Sequence, residues 1–318
     1  MTQAAGANTR GILCLLGALV VLTASDSIIK WLSPSLPLHE ITLVRSLVAL
    51  CVVLVIVQFE GGLVTLRTRR PGLHLARGAL LTLANIFFFV GLSAMPIAET
   101  VALFFTAPLF ICLLAQPVLG EKVGLSRWFA IGLGGIGVVV MVRPGSELFR
   151  LVSLLPIMAA LCYAAMTMMT RKLGLRETAG AMTFYIQIAF IAVSVTVGLV
   201  IGGGEFDRFD DPALGFLLRA WRWPAATEWI LLVACGVLVC FGGYLLSQAY
   251  RLGEAPVVAP FEYASMPFAL AAGLILWGDW PDWIALAGSA LIIGGGLLVV
   301  VLENRARRRV TRQAQIDY

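Results

Sequence analysis

Ionisable side chains stand inside long apolar runs of this sequence, where their charge is hard to solvate. Asp26 and Lys30 lie four residues apart in the first run, Arg45 lies in the second, Glu99 opens the fourth and Glu262 falls in the ninth. Charged groups in such places face a cavity or a partner, because hydrocarbon does not solvate them. Their chemistry is binding an ionic group or exchanging a proton. Asp26 and Lys30 are one helical turn apart in the order that favours an ion pair. Lys30 also has the reach to snorkel to the nearer surface. Arg45 is placed to neutralise Asp26, an anionic group on a solute, or another carboxylate. Glu99 follows Pro96 in a first helical turn, which the helix dipole alone would favour. Glu262 lies between Pro260 and Pro267 with no neighbouring cation, which makes it the leading single candidate.

Prolines inside apolar runs free backbone carbonyls. Pro260 and Pro267 do so around Glu262, and Pro108 and Pro117 do so in the fourth run. Interrupted helices of this kind are tolerated where backbone lines a cavity; a packing kink is the alternative. The aromatics nearest these residues, Phe104, Phe105, Tyr163, Tyr185, Phe261 and Tyr263, are placed to stack on a flat solute, and Gln187 and Gln248 to supply polar contacts. Glu121, Asp279 and Asp282 sit in turns at run ends, where capping accounts for them.

Motifs of covalent chemistry are missing. Gly132 to Gly137 matches the spacing G-x-G-x-x-G, but it sits in an apolar run without the preceding strand that dinucleotide binding requires. Close helix packing explains those glycines, and Gly294 to Gly296 likewise. No phosphate-binding G-x-x-x-x-G-K-[ST] loop and no H-E-x-x-H pair occurs, and His39 and His74 are far apart. The six cysteines, Cys14, Cys51, Cys112, Cys162, Cys235 and Cys240, all lie in apolar runs and read as small buried hydrophobes. No metal, no cofactor and no enzymatic activity is expected.

The elements that must position these residues are transmembrane helices. Of 318 residues, 60% are hydrophobic and 13% charged, against roughly 45–50% and about 25% in soluble domains. Crossing a bilayer takes about 20 apolar residues. Ten runs qualify: 11–31, 39–59, 73–92, 98–119, 126–142, 151–170, 178–202, 227–250, 255–277 and 283–302. The chain is therefore expected to be all-α and polytopic. The first run is read as a span and not a cleaved signal, because its leading segment holds only Arg10 and many spans follow. The longest connection, 203–226, ends in leucines and tryptophans mixed with Arg219 and Arg222, which suit a short interfacial helix or an ordinary loop.

Orientation follows from the basic residues. With the N-terminus in the cytoplasm, sixteen Lys and Arg flank spans on that side and six on the other, Arg45 excepted. That bias places both termini inside. The basic tail, 303–318, reads as a membrane-surface anchor and not as a nucleic-acid patch.

The second half echoes the first. The stretch Pro96, Ala98, Phe104, Phe105 and Pro108 leads to Leu119-Gly120-Glu121, Trp128 and a glycine-rich run. The stretch Ala255, Val257, Phe261 and Pro267 leads to Trp277-Gly278-Asp279, Trp283 and another such run. Five spans per half is an odd number, so the second half enters the membrane from the opposite side. Inverted repeats of this kind recur in secondary transporters.

At these motifs, with Val142-Arg143-Pro144-Gly145 and Ala259-Pro260-Phe261-Glu262-Tyr263, the chain resembles EamA-type members of the drug/metabolite transporter superfamily. Its second half is most similar to a bacterial subgroup that includes riboflavin and S-adenosylmethionine uptake transporters. The resemblance implies ten helices in two EamA repeats, 11–145 and 151–302, around a central cavity in a bacterial inner membrane. It implies a secondary carrier of a small organic solute, with riboflavin uptake as the first substrate reading. S-adenosylmethionine uptake and export of an amino acid or metabolite are the alternatives. An integral-membrane enzyme or a scaffold would leave the repeat and the intramembrane carboxylates unexplained. The expected partners are the solute and membrane lipid, with a homodimer left open and no nucleic acid.

Overall fold

The computed structural model of the chain describes residues 2–59, 61–68, 70–107, 109–110, 113–114, 125–142, 151–173, 179–207, 211–252, 259–295 and 297–298. Among these every regular element is helical. In chain order they are α1 (Thr2–Leu32), α2 (Leu38–Phe59), α3 (Pro71–Ala94), α4 (Ile97–Phe104), α5 (Leu125–Val142), α6 (Leu154–Leu173), α7 (Ala179–Ile201), α8 (Pro212–Leu218), α9 (Ala226–Leu252), α10 (Ser265–Trp277) and α11 (Trp283–Gly295). Short 3₁₀ turns cover Leu63–Leu66, Leu151–Ser153 and Ala259–Ala264.

Six segments among the described residues are long and apolar enough to cross a membrane: Thr9–Leu32, Leu38–Phe59, Pro71–Ala94, Leu151–Met169, Gly180–Ile201 and Ala226–Leu246. Ser265–Trp277 and Trp283–Gly295 are shorter apolar helices. Large apolar side chains such as Leu199, Ile275 and Trp283 stand exposed, as a hydrocarbon surround would allow.

Prolines mark the helix boundaries. Pro71 opens α3, where its missing N–H costs no hydrogen bond. Met95 is extended ahead of Pro96, which ends α3 and lets α4 begin. The C-terminus of α10 closes on Gly278, whose φ of 70° only glycine adopts freely. Its N–H bonds back to Leu274 O at 3.1 Å, and that of Asp279 to Gly273 O at 3.2 Å.

Two expected spans are interrupted. In 98–119, α4 ends at Phe104 and Phe105–Thr106 forms a turn. Pro108 and Pro117 lie outside the described residues. In 255–277, the chain runs as a 3₁₀ turn through Pro260 and Glu262 before α10 begins, with Pro267 in the first turn of α10. Side chains of Pro260 and Glu262, and all of 303–318, are outside the description.

Of the two readings of the long connection, the ordinary loop holds for the Trp-Arg stretch; the connection's helix is α8, which takes in Leu217 and Leu218 and ends ahead of that stretch. Asp211 caps α8 by accepting from Ala213 N at 2.9 Å and Leu214 N at 3.0 Å, with Pro212 at the first position. Residues 219–225 then run without regular structure as a strap across one end of the bundle.

Helix packing is selective. Helix α1 packs along α9, α3 along α6, and α2 along α7. Helix α2 also meets α9 and α3 meets α7; α4 meets α10 and α6, and α10 also meets α1. Glycine permits the closest approaches. A Cβ at Gly137 of α5 would stand 2.8 Å from Gly288 O of α11, and one at Gly236 of α9 would stand 2.7 Å from Arg45 O of α2.

Candidate functional site

The centre of the bundle holds a polar cluster contributed by α1, α2, α3 and α9. Arg45 is buried, and its Nη2 donates to Asn85 Oδ1 at 2.8 Å. Asn85 Nδ2 in turn donates to Leu81 O at 3.1 Å, which fixes the amide with its oxygen toward the guanidinium. The guanidinium carbon lies 5.0 Å from the ring centre of Phe89 and 5.5 Å from that of Phe190. Both rings offer a negative face to the cation. Asp26 and Arg45 attract one another electrostatically. Next to Asp26 in sequence, Ser25 shares a 3.3 Å contact between its Oγ and Cys235 Sγ of α9. A cation held by an amide, two rings and a carboxylate's field suits reversible binding, since no single strong ion pair fills it.

Lys30 lies elsewhere, at the end of the bundle that carries the strap. Its ammonium donates to Leu92 O at 3.1 Å and also to Met95 O, the last carbonyls around the C-terminus of α3. It stands 5.4 Å from the ring centre of Trp277, and Asp279 and Glu99 attract it. A cation at a helix C-terminus is favoured by the dipole. Lys30 therefore ties α1, α3, α4 and α10 together at that end, and Glu99 contributes to the same knot.

The aromatics form pairs between helices. Phe104 of α4 packs on Tyr163 of α6 with ring centres 5.4 Å apart, and on Phe88 of α3 at 5.3 Å. Phe105 meets Tyr263 at 5.0 Å. Tyr185 lies apart from these: it stacks on His74 at 4.5 Å, and its hydroxyl donates to Leu66 O at 2.7 Å. Phe261 is exposed. Gln187 is buried on α7, while Gln248 donates to Tyr244 Oη one turn earlier on α9 at 2.8 Å.

Sequence reasoning missed a cleft between α2, α3 and α7. It is lined by His39, Thr42, Thr82, Asn85, Phe190 and Ser194, with apolar neighbours, and Leu217 of α8 closes its top. The signal for Asn85 was an amide in an otherwise apolar run. His39 and Thr42 share the face of α2 that carries Arg45, at three-residue spacing. Arg77, near the start of the third apolar run and one of the sixteen basic residues assigned to the cytoplasmic side, is buried within α3. Among the described residues no group of three His, Cys, Asp or Glu is placed to hold a metal.

Three comparisons bear on these features. The EamA-like transporter family matches residues 9–143. The riboflavin transporter of Vibrio cholerae is 28% identical over 305 residues, spanning 93% of this chain and 96% of the relative. That of Rhizobium johnstonii is 30% identical over 248 residues, 78% and 76% of the two chains. The S-adenosylmethionine uptake transporter of Rickettsia conorii is 28% identical over 309 residues, 97% and 98% of the two. A crystal structure 20% identical in sequence superposes with a TM-score of 0.62, covering 94% of this chain and 98% of the other; it shares the fold.

Proposed function

Because the chain belongs to the EamA-like transporter family, we propose that it is a secondary transporter moving a small organic metabolite across a bacterial inner membrane by alternating access. The reading takes ten spans as two inverted repeats, 11–145 and 151–302. One relationship carries it. Exchange α1 with α6, α2 with α7, α3 with α9, α4 with α10 and α5 with α11. The pair α1–α9 then becomes α6–α3, α2–α9 becomes α7–α3, α1–α10 becomes α6–α4, and α2–α7 and α4–α10 map onto themselves; all are packed pairs. Gly137 against Gly288 supplies the α5–α11 pair. Such an arrangement offers two equivalent ways to open around a central site.

The central site is Arg45 with Asp26 and Asn85, flanked by the aromatic pairs of α3, α4 and α6. In this reading Glu262 and Glu99 serve a proton or the solute from the α4 and α10 side. Both termini are cytoplasmic and the strap end faces the periplasm, supported by the excess of Lys and Arg on the opposite side.

Riboflavin is the first substrate reading, taken from the relatives in Vibrio and Rhizobium. A flat ring with carbonyl oxygens suits a guanidinium donor between aromatic faces. S-adenosylmethionine is the second, favoured by Asp26, whose carboxylate suits a sulfonium cation. Uptake of labelled riboflavin and S-adenosylmethionine by proteoliposomes, with and without a pH gradient, decides between them. Saturable flux of one, driven by the gradient, is the expected result; flux of neither above empty liposomes sinks both.

A further inference from the structure

Helix α2 carries a polar stripe, His39, Thr42, Arg45 and Ser46, on one face. Each is at most 6% exposed. Nε of Arg45 and Oγ of Ser46 have no hydrogen-bond partner, and the His39 ring has the Leu217 backbone beside it as a polar neighbour. Burying unsatisfied groups is costly in a membrane, where no bulk water compensates them. A packing role alone does not repay it, whereas a passage that fills with solute and water during the cycle does.

The stripe begins beneath the strap. The indole of Trp221 stacks on His39, ring centres 5.8 Å apart and planes inclined by 18°. Its seat is cut into α7 by glycine: a Cβ at Gly198 would come within 2.5 Å of that indole. The backbone N–H of Trp221 donates to Gly202 O at 3.1 Å. Arg219 and Arg222 anchor the strap through Ser33 O at 3.0 Å and Ser35 O at 2.9 Å.

We propose that the α2 stripe is the solute's route from the strap end to Arg45, that Trp221 is its plug, and that the route serves a solute rich in hydrogen-bond acceptors. This rests on the transporter reading. The acceptor preference follows from the free Nε–H of the Arg45 guanidinium, a group that can only donate. Lys30 instead holds a separate contact between α1, α3 and α10.

The reporter is native. Cys235 is fully buried, 3.3 Å from Ser25 and beside Arg45. In a variant keeping Cys235 alone among the cysteines, spheroplasts would be treated with a membrane-impermeant methanethiosulfonate. Trp221→Ala should raise the labelling rate several-fold; Trp221→Phe, which refills the seat, should return it near the starting rate; Lys30→Gln should leave it unchanged. Unaltered labelling in Trp221→Ala, or an equal rise in Lys30→Gln, would overturn the route. Should Trp221→Ala not elute as a folded species, a His39→Cys/Trp221→Cys pair serves. Its crosslink should abolish Cys235 labelling and reductant should restore it; labelling that persists through the crosslink overturns the plug. Riboflavin, as an acceptor-rich probe, should slow labelling of Trp221→Ala, and no slowing by it would overturn the acceptor preference. Labelling needs no transport, so plug-dependent labelling without flux would sink the transporter reading and spare the route.

Discussion

Arg45 and Asn85 are joined across α2 and α3 by a 2.8 Å hydrogen bond, with the amide oxygen accepting from the guanidinium. A hydrogen bond to a charged group contributes about 1.5–3 kcal/mol net. Asn85→Leu should therefore lower the unfolding midpoint in detergent, while Asn85→Gln, which can still accept, should recover part of it. Equal midpoints for wild type and Asn85→Leu would remove this bond from the stability account.

Asp26 and Arg45 make a second, electrostatic relationship, and it predicts non-additivity. Removing one charge takes away the attraction that offsets the desolvation of the other. Arg45→Gln should thus destabilise strongly. Adding Asp26→Asn should recover stability without recovering transport. A double-mutant cycle in which the two losses simply add would show that the groups do not interact.

How far all this was legible in the sequence depends on the residue. Six of the ten expected spans answer to segments long and apolar enough to cross a membrane among the described residues; they were readable because each supplies its own backbone hydrogen bonds and must be apolar over a fixed length. Asp26 and Arg45 stood out as charges out of place; that Phe104 packs on Tyr163 and Phe105 on Tyr263 was not legible, because pairing across the bundle depends on packing and not on spacing. The role of Lys30 was not readable, because spacing cannot tell a cavity-facing ammonium from one that caps the carbonyls of another helix. His39 was set aside, and Asn85 passed over, for a different reason. His39 opens α2, where a polar side chain is cheap, and only the packing of the strap over that end buries it; Asn85 is an uncharged amide whose tie to Arg45 depends on the packing of α2 against α3. The Trp-Arg stretch left helix and loop open, since its mix of aromatic and basic residues fits either; Asp211 and Pro212 start the helix earlier and leave that stretch as a loop.

The aromatic pair Phe104–Tyr163 predicts a binding effect. Aromatic pairs contribute about 0.5–1.5 kcal/mol beyond area burial, which corresponds to roughly a 2- to 13-fold change in affinity. Phe104→Leu should raise KM by a factor in that range if the solute's ring stacks there, while a Tyr substitution at Phe104 should be tolerated. A Phe104→Leu protein with unchanged KM for the transported solute would place the solute away from this pair.

Two glycines on one helix provide an internally controlled test of packing. A Cβ at Gly135 would meet nothing within 4 Å, whereas one at Gly137 would stand 2.8 Å from the backbone atoms Gly288 O and Ile292 N. Both belong to α5, so helix propensity alone predicts the same gain of up to about 1 kcal/mol for alanine at either position. Contact with α11 separates them, because backbone atoms of a neighbouring helix cannot rotate out of the way as a side-chain end can. Gly135→Ala should leave the unfolding midpoint unchanged or raise it. Gly137→Ala should lower it by several degrees and, by pushing α5 from α11, weaken the pair that maps onto itself when the halves are exchanged. If both variants melt alike, α5 and α11 are not in the close contact described, and the exchange of halves loses its α5–α11 pair.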